Sequence, residues 1–401
     1  MDEIATLRTV RNIRSSLNQI PKGLGEVYER ILTRVTATDM PLVRKILLWL
    51  SFTVLPLTLD ELRSAIAIEE GAEELDADLC LADKEDILEI CGCLISVTDQ
   101  GYVQLAHLSV KDYLLSEEIR KGPIPIYALS NETGNSELAI DCFTYLSFRN
   151  FQAGPCQSAD SFTRRVADHP FLRHASTAWT YYLRGSSAEI QLHKRIIDFF
   201  LTQNRQAFLS WVQVLNADSP FKWDLYPRHA TPLYYAASFG LLHVVKYLIE
   251  MSVDLDAPGS RFGGTALHGA IYRYHTTVSA ALLQAGANPN QADFDRISPL
   301  HSAAGQGHIQ SIKLLLEYGA SKDARDRGGQ TPLDWAARAG QDEAYSMLIG
   351  KLPTTEIETK SLTYQVWKPN SKYIPNWYDK RSGLDSSIVL AVTIGDLSYN
   401  L

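Results

Sequence analysis

Thr231-Pro-Leu-Tyr-Tyr-Ala-Ala-Ser-Phe-Gly240, Thr265-Ala-Leu-His-Gly-Ala-Ile271, Ser298-Pro-Leu-His-Ser-Ala-Ala-Gly-Gln-Gly-His308 and Thr331-Pro-Leu-Asp-Trp-Ala-Ala-Arg-Ala-Gly340 are four versions of one motif. Their starts lie 34, 33 and 33 residues apart. A fixed period in this range marks a solenoid of small stacked units. Thr or Ser opens a first helix by accepting from a free backbone N–H. Pro232, Pro299 and Pro332 follow at the first helical position, where a missing N–H costs nothing. Leu233, Leu267, Leu300 and Leu333 point into the stack, and the Ala pairs 236–237, 303–304 and 336–337 let two helices approach closely. Gly240, Gly307 and Gly340 permit the left-handed turn that ends the first helix. A second helix carries apolar residues such as Val244, Val245 and Leu248, or Ile312, Leu315 and Leu316. Loops rich in Asp, Asn and Gly then project between units.

This motif resembles the ankyrin repeat, and the resemblance implies a surface that binds another macromolecule. Repeat two departs from the pattern, with Tyr274 where the turn Gly belongs and Ile271 in place of the second Ala. Repeat four has Asp334 where His268 and His301 stand; in the family that His bonds backbone between repeats. By motif position the resemblance places Ser238 and Phe239, Tyr272 and Arg273, Gly305 and Gln306, and Arg338 on the concave face. It places Arg261, Phe262, Phe294, Asp295 and Arg327 at the finger tips. Aromatics and Arg are the types enriched at interface hot spots. Phe294 has an alternative, tucking against a neighbouring finger.

Composition bounds the rest. The chain has 401 residues, room for two or three domains, with 45% hydrophobic and 21% charged residues, ordinary for a soluble globular protein. Its net charge of -8 argues against broad nucleic-acid binding, which wants a basic face. The five cysteines all precede the repeats and do not form a disulfide framework. Cys91-Gly-Cys93 lacks zinc spacing, so no metal is expected, and buried free thiols are. The start has no apolar signal core, and the longest uncharged stretch, Ile46 to Leu59, is too short to span a membrane. A cytoplasmic location, or a nuclear one, is the expectation.

Ahead of the repeats, residues 1–38 read as a helical stub in which Pro21 and Gly23 separate two helices. Residues 41–118 read as one unit. Arg44 to Phe52 is an amphipathic helix, Thr58 to Glu61 a capping box opening a helix to Ile68, and Glu69 to Asp86 an acidic mobile loop. Ile87 to Leu94 is a short apolar helix, Ile95–Thr98 and Tyr102–Leu105 a hairpin, and Ser109 the cap of a last helix through Leu115. Three helices and a hairpin in this order make a winged helix. Residues 120–225 carry aromatics at helical spacing and read as a packed helical linker, with helices at Ser136–Phe148, Pro170–Leu183 and Glu189–Leu201. Residues 226–351 hold the repeats, and residues 352–401 form a tail with a strand-like Ser387–Ile394.

The motifs I-P-K-G-L-G-E-V-Y-E-R-I-L from Ile20, R-K-I-L-L-W-L-S-F-T-V-L-P-L-T-L-D-E-L from Arg44, D-I-L-E-I-C-G-C-L from Asp86 and V-Q-L-A-H-L-S-V-K-D-Y-L-L-S from Val103 resemble fungal NACHT–ankyrin proteins, NLR-like signal-transduction ATPases of the STAND type. The resemblance covers about residues 15 to 350. It implies the helical and winged-helix parts that follow a nucleotide-binding core, then a helical linker and an ankyrin sensor. The core's Gly-rich phosphate loop ending in Gly-Lys-Ser/Thr is not found in this sequence, so no cofactor is expected. The chain reads as the C-terminal piece of a larger ancestor or the product of a truncated gene start. The resemblance gives His107 one family role, contacting an ADP phosphate. Without the core, a cap at the hairpin–helix junction is the expectation.

Of the two candidate recognition helices in the winged helix, the one at Ile87–Leu94 offers no Arg or Lys and the one at Leu59–Ile68 only Arg63, which argues against DNA contact. No Gly-x-Ser-x-Gly, His-Glu-x-x-His or Cys-x-x-Cys is present, so catalytic residues are not expected. The expectation is therefore a mainly α protein: helical stub, winged helix, helical linker and ankyrin solenoid. Its expected role is a non-catalytic protein–protein interaction module or scaffold in signalling or regulation, able to associate with a NACHT-containing protein. The alternatives are a truncated NLR-like ATPase whose missing core does the chemistry, and a repurposed scaffold enzyme.

Overall fold

The structure is a computed structural model that describes residues 23–201, 205–217 and 222–350. The first helix of the stub and the tail at 352–401, with its strand-like segment, lie outside the described residues. The fold is mainly helical and divides into two compact units. One comprises residues up to Ile68 and Asp76–Leu138; the other comprises Glu69–Leu75 and everything from Ala139.

The first unit begins with α1 (Leu24–Thr33) and α2 (Met40–Phe52). Val43, Ile46, Leu47 and Trp49 of α2 are fully buried, the helical spacing that drives one face into a core. α3 (Leu59–Ile66) opens with the capping box: Thr58 Oγ1 accepts from Glu61 N at 3.3 Å, and Glu61 Oε2 accepts from Thr58 N at 2.9 Å. α4 (Asp86–Cys91) ends in a 3-10 turn at Gly92–Leu94, so the apolar helix is one turn shorter than its hydrophobicity implies. The hairpin is β2 (Ile95–Val97) against β3 (Tyr102–Leu105), with Ile95 opposite Leu105. A third strand, β1 (Leu57–Thr58), pairs with the other edge of β3, Leu57 opposite Val103. Its two residues are too few for an alternation to be legible. α5 (Leu108–Leu115) is capped by His107, not Ser109: the imidazole Nδ1 accepts from Ser109 N at 3.2 Å. Ser109 lies inside the first turn, and its hydroxyl instead pairs with Tyr28 Oη at 2.7 Å, tying α1 to α5. α6 (Glu117–Lys121) follows, and Arg44 of α2 grips Glu137 through two bonds of 2.9 Å.

The acidic stretch after α3 is not a free loop. Arg149 N donates to the Glu73 carbonyl at 2.9 Å, the Arg149 and Glu73 side chains pair, and Gln191 Nε2 donates to Glu70 Oε1 at 2.8 Å. Glu69–Leu75 thereby belongs to the second unit.

The division between the units falls inside α7 (Asn131–Leu146). α8 (Arg149–Gln152), α9 (Ala159–Asp168), α10 (Leu172–Leu183), α11 (Ala188–Leu201) and α12 (Gln206–Asn216) follow. Their aromatics form a packed core: Phe143 meets Trp179 at 5.3 Å and Trp179 meets Trp211 at 5.6 Å between ring centroids. Gln213 lies in the same core and closes its amide on both backbone groups of Cys156, at 2.7 and 3.0 Å.

The repeats are helix pairs: α13 (Pro232–Ser238) with α14 (Leu242–Glu250), α15 (Ala266–Tyr272) with α16 (Thr276–Gln284), α17 (Pro299–Gln306) with α18 (Ile309–Glu317), and α19 (Pro332–Arg338) with α20 (Asp342–Leu348). First helices stack on first helices and second on second. Leu267, Leu300, Ala303 and Ala304 are fully buried between them. No repeat can bury its apolar face alone. The end at repeat one is covered by the linker pair: Trp211 of α12 meets Tyr235 and Phe239 at 5.5 and 5.7 Å, and His193 of α11 meets the His243 and Tyr247 rings.

Gly240, Gly307 and Gly340 adopt φ of 74°, 70° and 68°, the left-handed turn that favours Gly. Tyr274 takes the same turn at φ 63°. Its ring lies 4.4 Å from that of His308, a contact that holds repeat two to repeat three where a Gly would make none.

Three imidazoles bridge repeats. His268 Nδ1 accepts from Thr265 N at 3.1 Å, and its Nε2 donates to the Ile297 carbonyl of the next finger at 2.9 Å. His301 repeats this with Ser298 N and the Gln330 carbonyl, at 3.1 and 3.0 Å. His275 Nε2 donates to Ser238 O at 3.1 Å. Asp334 does half the job, accepting from Thr331 N at 2.8 Å but having no N–H to offer a further finger. Burial pushes His268 down to about 4 and His275 to about 3, and lowers His301. The unfolded chain takes up these protons near pH 6.5, where the native stack does not. Stability from this source is therefore constant above that pH and falls as pH drops towards 4, by about 1.4 kcal/mol per pH unit for each site. Urea midpoints measured from pH 7 to pH 5 should fall, and His268→Gln should flatten the slope.

Candidate interaction surface

The loops between repeats form fingers built on one plan. Ser260, Asp293 and Asp326 stand 33 residues apart and each turns its side chain onto its own finger's backbone. Ser260 Oγ accepts from Gly264 N at 2.8 Å, Asp293 Oδ1 from Ile297 N at 2.8 Å, and Asp326 Oδ1 from Gln330 N at 2.8 Å. Three residues on, Gly263, Arg296 and Gly329 take φ of 80°, 62° and 77°. Adjacent fingers are joined main chain to main chain: Phe294 N donates to Phe262 O at 3.0 Å, and Arg327 N to Asp295 O at 2.8 Å. The tips thus form one continuous ridge.

The expected surface residues distribute unevenly over this frame. Phe262 and Phe294 are 41% and 56% exposed at the ridge, and Tyr272, at the end of α15, is 40% exposed. The Arg261 guanidinium lies over the Phe262 ring at 4.8 Å. Arg327, its side chain 75% exposed, pairs with Asp295 at 3.1 Å across two fingers. Arg338 is exposed and donates to Gln330 Oε1 at 3.2 Å. Gln306 is half-buried and spends its amide N–H on the Tyr272 carbonyl at 3.1 Å. Phe239 is a correction: only 8% exposed, it is core rather than surface. Trp211 covers one side of it and Arg273 lies over its ring at 4.7 Å. Ser238 is likewise buried. Motif position alone could not show this, because the covering residue comes from α12, outside the repeat. Phe294 combines both of its readings. Its ring seats on Gly263 and meets His229 at 5.9 Å, yet keeps over half its surface open.

Sequence reasoning also passed over Arg296 and Arg325. Arg325 Nη1 donates to Gly329 O at 2.8 Å, and both side chains are exposed. The signal was present: 296 occupies the position that Gly263 and Gly329 fill in neighbouring fingers.

Two comparisons with known proteins bear on the repeats. The family described as "Ankyrin repeats (3 copies)" matches residues 205–293 and 280–361. A chain named "Putative ankyrin repeat protein FPV223" from Fowlpox virus (strain NVSL) is 32% identical over 136 residues, covering 32% of this chain and 84% of the viral one. This chain belongs to the ankyrin-repeat proteins. The ankyrin match begins at residue 205, so it takes in α12, the helix that closes the stack over repeat one. Outside the ankyrin part, residues 28–124 match "GPI inositol-deacylase, winged helix domain". The "Azaphilone pigments biosynthesis cluster protein L" of Monascus ruber is 26% identical over 306 residues, 71% of this chain. This ankyrin-repeat chain spans 63% of that relative's length. Among the described residues no helix is long and apolar enough to cross a membrane, and no three His, Cys, Asp or Glu side chains gather as a metal site needs.

The Phe294–Gly263 contact gives a direct test of the ridge. A Cβ on Gly263 falls 2.4 Å from the Phe294 ring, at a φ that L residues adopt only under strain. Gly263→Ala should therefore destabilise by about 1–3 kcal/mol, and Phe294→Ala alone by less than about 1 kcal/mol. In the double mutant part of the Gly263→Ala cost should disappear, which a denaturation cycle on the four proteins measures.

Proposed function

We propose that this chain is a non-catalytic interaction module that holds a protein partner on the finger ridge and the exposed ends of the first helices. The observation that carries this reading is the ridge itself, where main-chain bonds lock three fingers together while aromatic and guanidinium groups face solvent. A surface ordered before binding loses little entropy when a partner lands. Exposed Phe262, Phe294 and Tyr272 beside Arg are the residue types that dominate interface energetics. The role is in signalling or in regulating a larger assembly, and a NACHT-containing protein is the partner class the sequence resemblance implies. A cytoplasmic setting accords with this. The Monascus relative's name places that protein in a pigment-biosynthesis cluster and names no reaction.

The test places a photo-crosslinking phenylalanine analogue at 294, at 272 and, as a control, at Tyr318, which is exposed on the second-helix side. Crosslinks to one partner from 294 and 272, absent from 318, are expected. Crosslinking from 318 alone sinks the reading.

A second reading rests on the winged-helix match: the chain is the distal part of an NLR-like ATPase whose nucleotide-binding core is encoded upstream. His107 would then stand at the start of α5 to meet a phosphate. Its Nδ1 is already engaged with the Ser109 hydroxyl at 2.6 Å, which favours the capping role. Mapping the transcript's 5′ end decides between them. An upstream frame encoding a Gly-Lys-Ser/Thr loop supports the second reading, and an in-frame stop before Met1 removes it.

A further inference from the structure

We infer that the partner presents an acidic segment carrying an apolar side chain, resting on the reading of the ridge as an interaction surface. The charges on this face are asymmetric in kind and in availability. Arg261, Arg296, Arg325 and Arg327 stand at the finger tips, with Arg273 and Arg338 at the ends of first helices. No lysine accompanies them: Lys246 and Lys313 lie in second helices, and Lys322 bonds the Leu348 carbonyl at 3.1 Å. Arginine presents a planar fork that pairs with a carboxylate through two parallel bonds.

The carboxylates on the same face are spent inwards. Asp293 accepts from Ile297 N and Asp295 N at 2.8 and 2.9 Å. Asp326 accepts from Gln330 N and from Trp335 Nε1 at 2.8 and 2.9 Å. Asp334 closes its own helix start. Asp295 meets Arg327, in a pair whose members are 51% and 75% exposed and which gains little from solvent-screened attraction. Six arginines against these four aspartates leave positive charge on the ridge of a chain whose net charge is -8. A local field opposed to the overall charge steers an acidic ligand to this face and away from others.

Arg296 adds an independent observation. It holds φ 62° where the neighbouring fingers use Gly263 and Gly329. A long L side chain there strains the backbone, and a Gly would remove the strain. Folding gives no reason for an arginine at this position, whereas capture of a carboxylate does. Between the cations stand the open faces of Phe262 and Phe294, which set the second requirement, an apolar group on the ligand.

The test uses the full chain and fluorescein-labelled peptides of about twelve residues, in the length range of linear segments recognised by grooves and ridges. One peptide alternates Glu and Leu, one Glu and Ser, one Lys and Leu, and one Ser and Leu. Anisotropy titrations should rank Glu/Leu tightest, at least about tenfold above Lys/Leu, with affinity falling as salt rises from about 50 to about 300 mM. Arg296→Gly is the decisive variant. It should bind Glu/Leu at least about threefold more weakly while its thermal midpoint stays level or rises, because strain is relieved. Arg261→Gln with Arg338→Gln should add to the loss. Equal binding of all four peptides, or unchanged affinity in Arg296→Gly, overturns the inference. So does displacement of Glu/Leu by an oligonucleotide at lower concentration than by unlabelled peptide, which makes nucleic acid the occupant. If no peptide binds while positions 294 and 272 still crosslink a protein, the acidic-segment inference fails and the interaction surface stands. If both experiments are negative, both fail.

Discussion

Two buried imidazoles set the pitch of the repeat stack. His268 and His301 each accept a backbone N–H at the start of their own first helix and donate to a carbonyl of the next finger. Both ring nitrogens are used, so one tautomer is fixed and the spacing of helix start and neighbouring finger is fixed with it. The arrangement works only while the ring is neutral and dry. Dryness comes from the leucines and alanines packed around it, and those residues reach close packing only because the imidazole satisfies backbone groups that would otherwise be buried without partners. Polar and apolar parts of the stack therefore depend on each other. Where the stack has no further finger to hold, Asp334 keeps the helix-start bonds and gives up the bridge.

How much of this the sequence discloses follows from the range of the interactions. The repeat is legible because each recurring residue answers a local demand: a cap at Thr331, a proline at the first helical position, a left-handed turn at Gly340. The fingers are legible in the same way, through Ser260, Asp293 and Asp326 at equal spacing. What the sequence withheld depends on distant partners. Phe239 occupies a surface position of its motif, and only the fold brings Trp211 onto it. Glu70 and Glu73 look like solvated acids until Gln191 and Arg149 arrive from residues far along the chain. Ser109 has the composition of a cap, but its hydroxyl is drawn to Tyr28 and the preceding His107 takes the role. Tyr274 marks a departure from the motif, yet its ring against His308 makes repeat two as well joined as its neighbours.

The linker helices have a structural consequence for the repeats. α11 and α12 cover the face that repeat one would otherwise expose, and they do so with aromatic rings instead of another copy of the repeat. Rings bury a large area for little lost side-chain freedom, which suits a closing element that must match an irregular helix pair on one side and a regular stack on the other. The Ala pairs that allow close approach inside the stack are not needed at this junction.

The finger-to-finger bonds are made by the main chain alone: Phe294 N to Phe262 O, and Arg327 N to Asp295 O. Such bonds are blind to the side chain on either residue. Any substitution at 294 or 327 other than proline preserves the donor. The ridge therefore separates two kinds of information, with its register written in the backbone and its chemical identity in the side chains. Drift or selection at the tips can redirect what the surface recognises without loosening the scaffold that presents it, so related chains can share this architecture and diverge completely in what they hold.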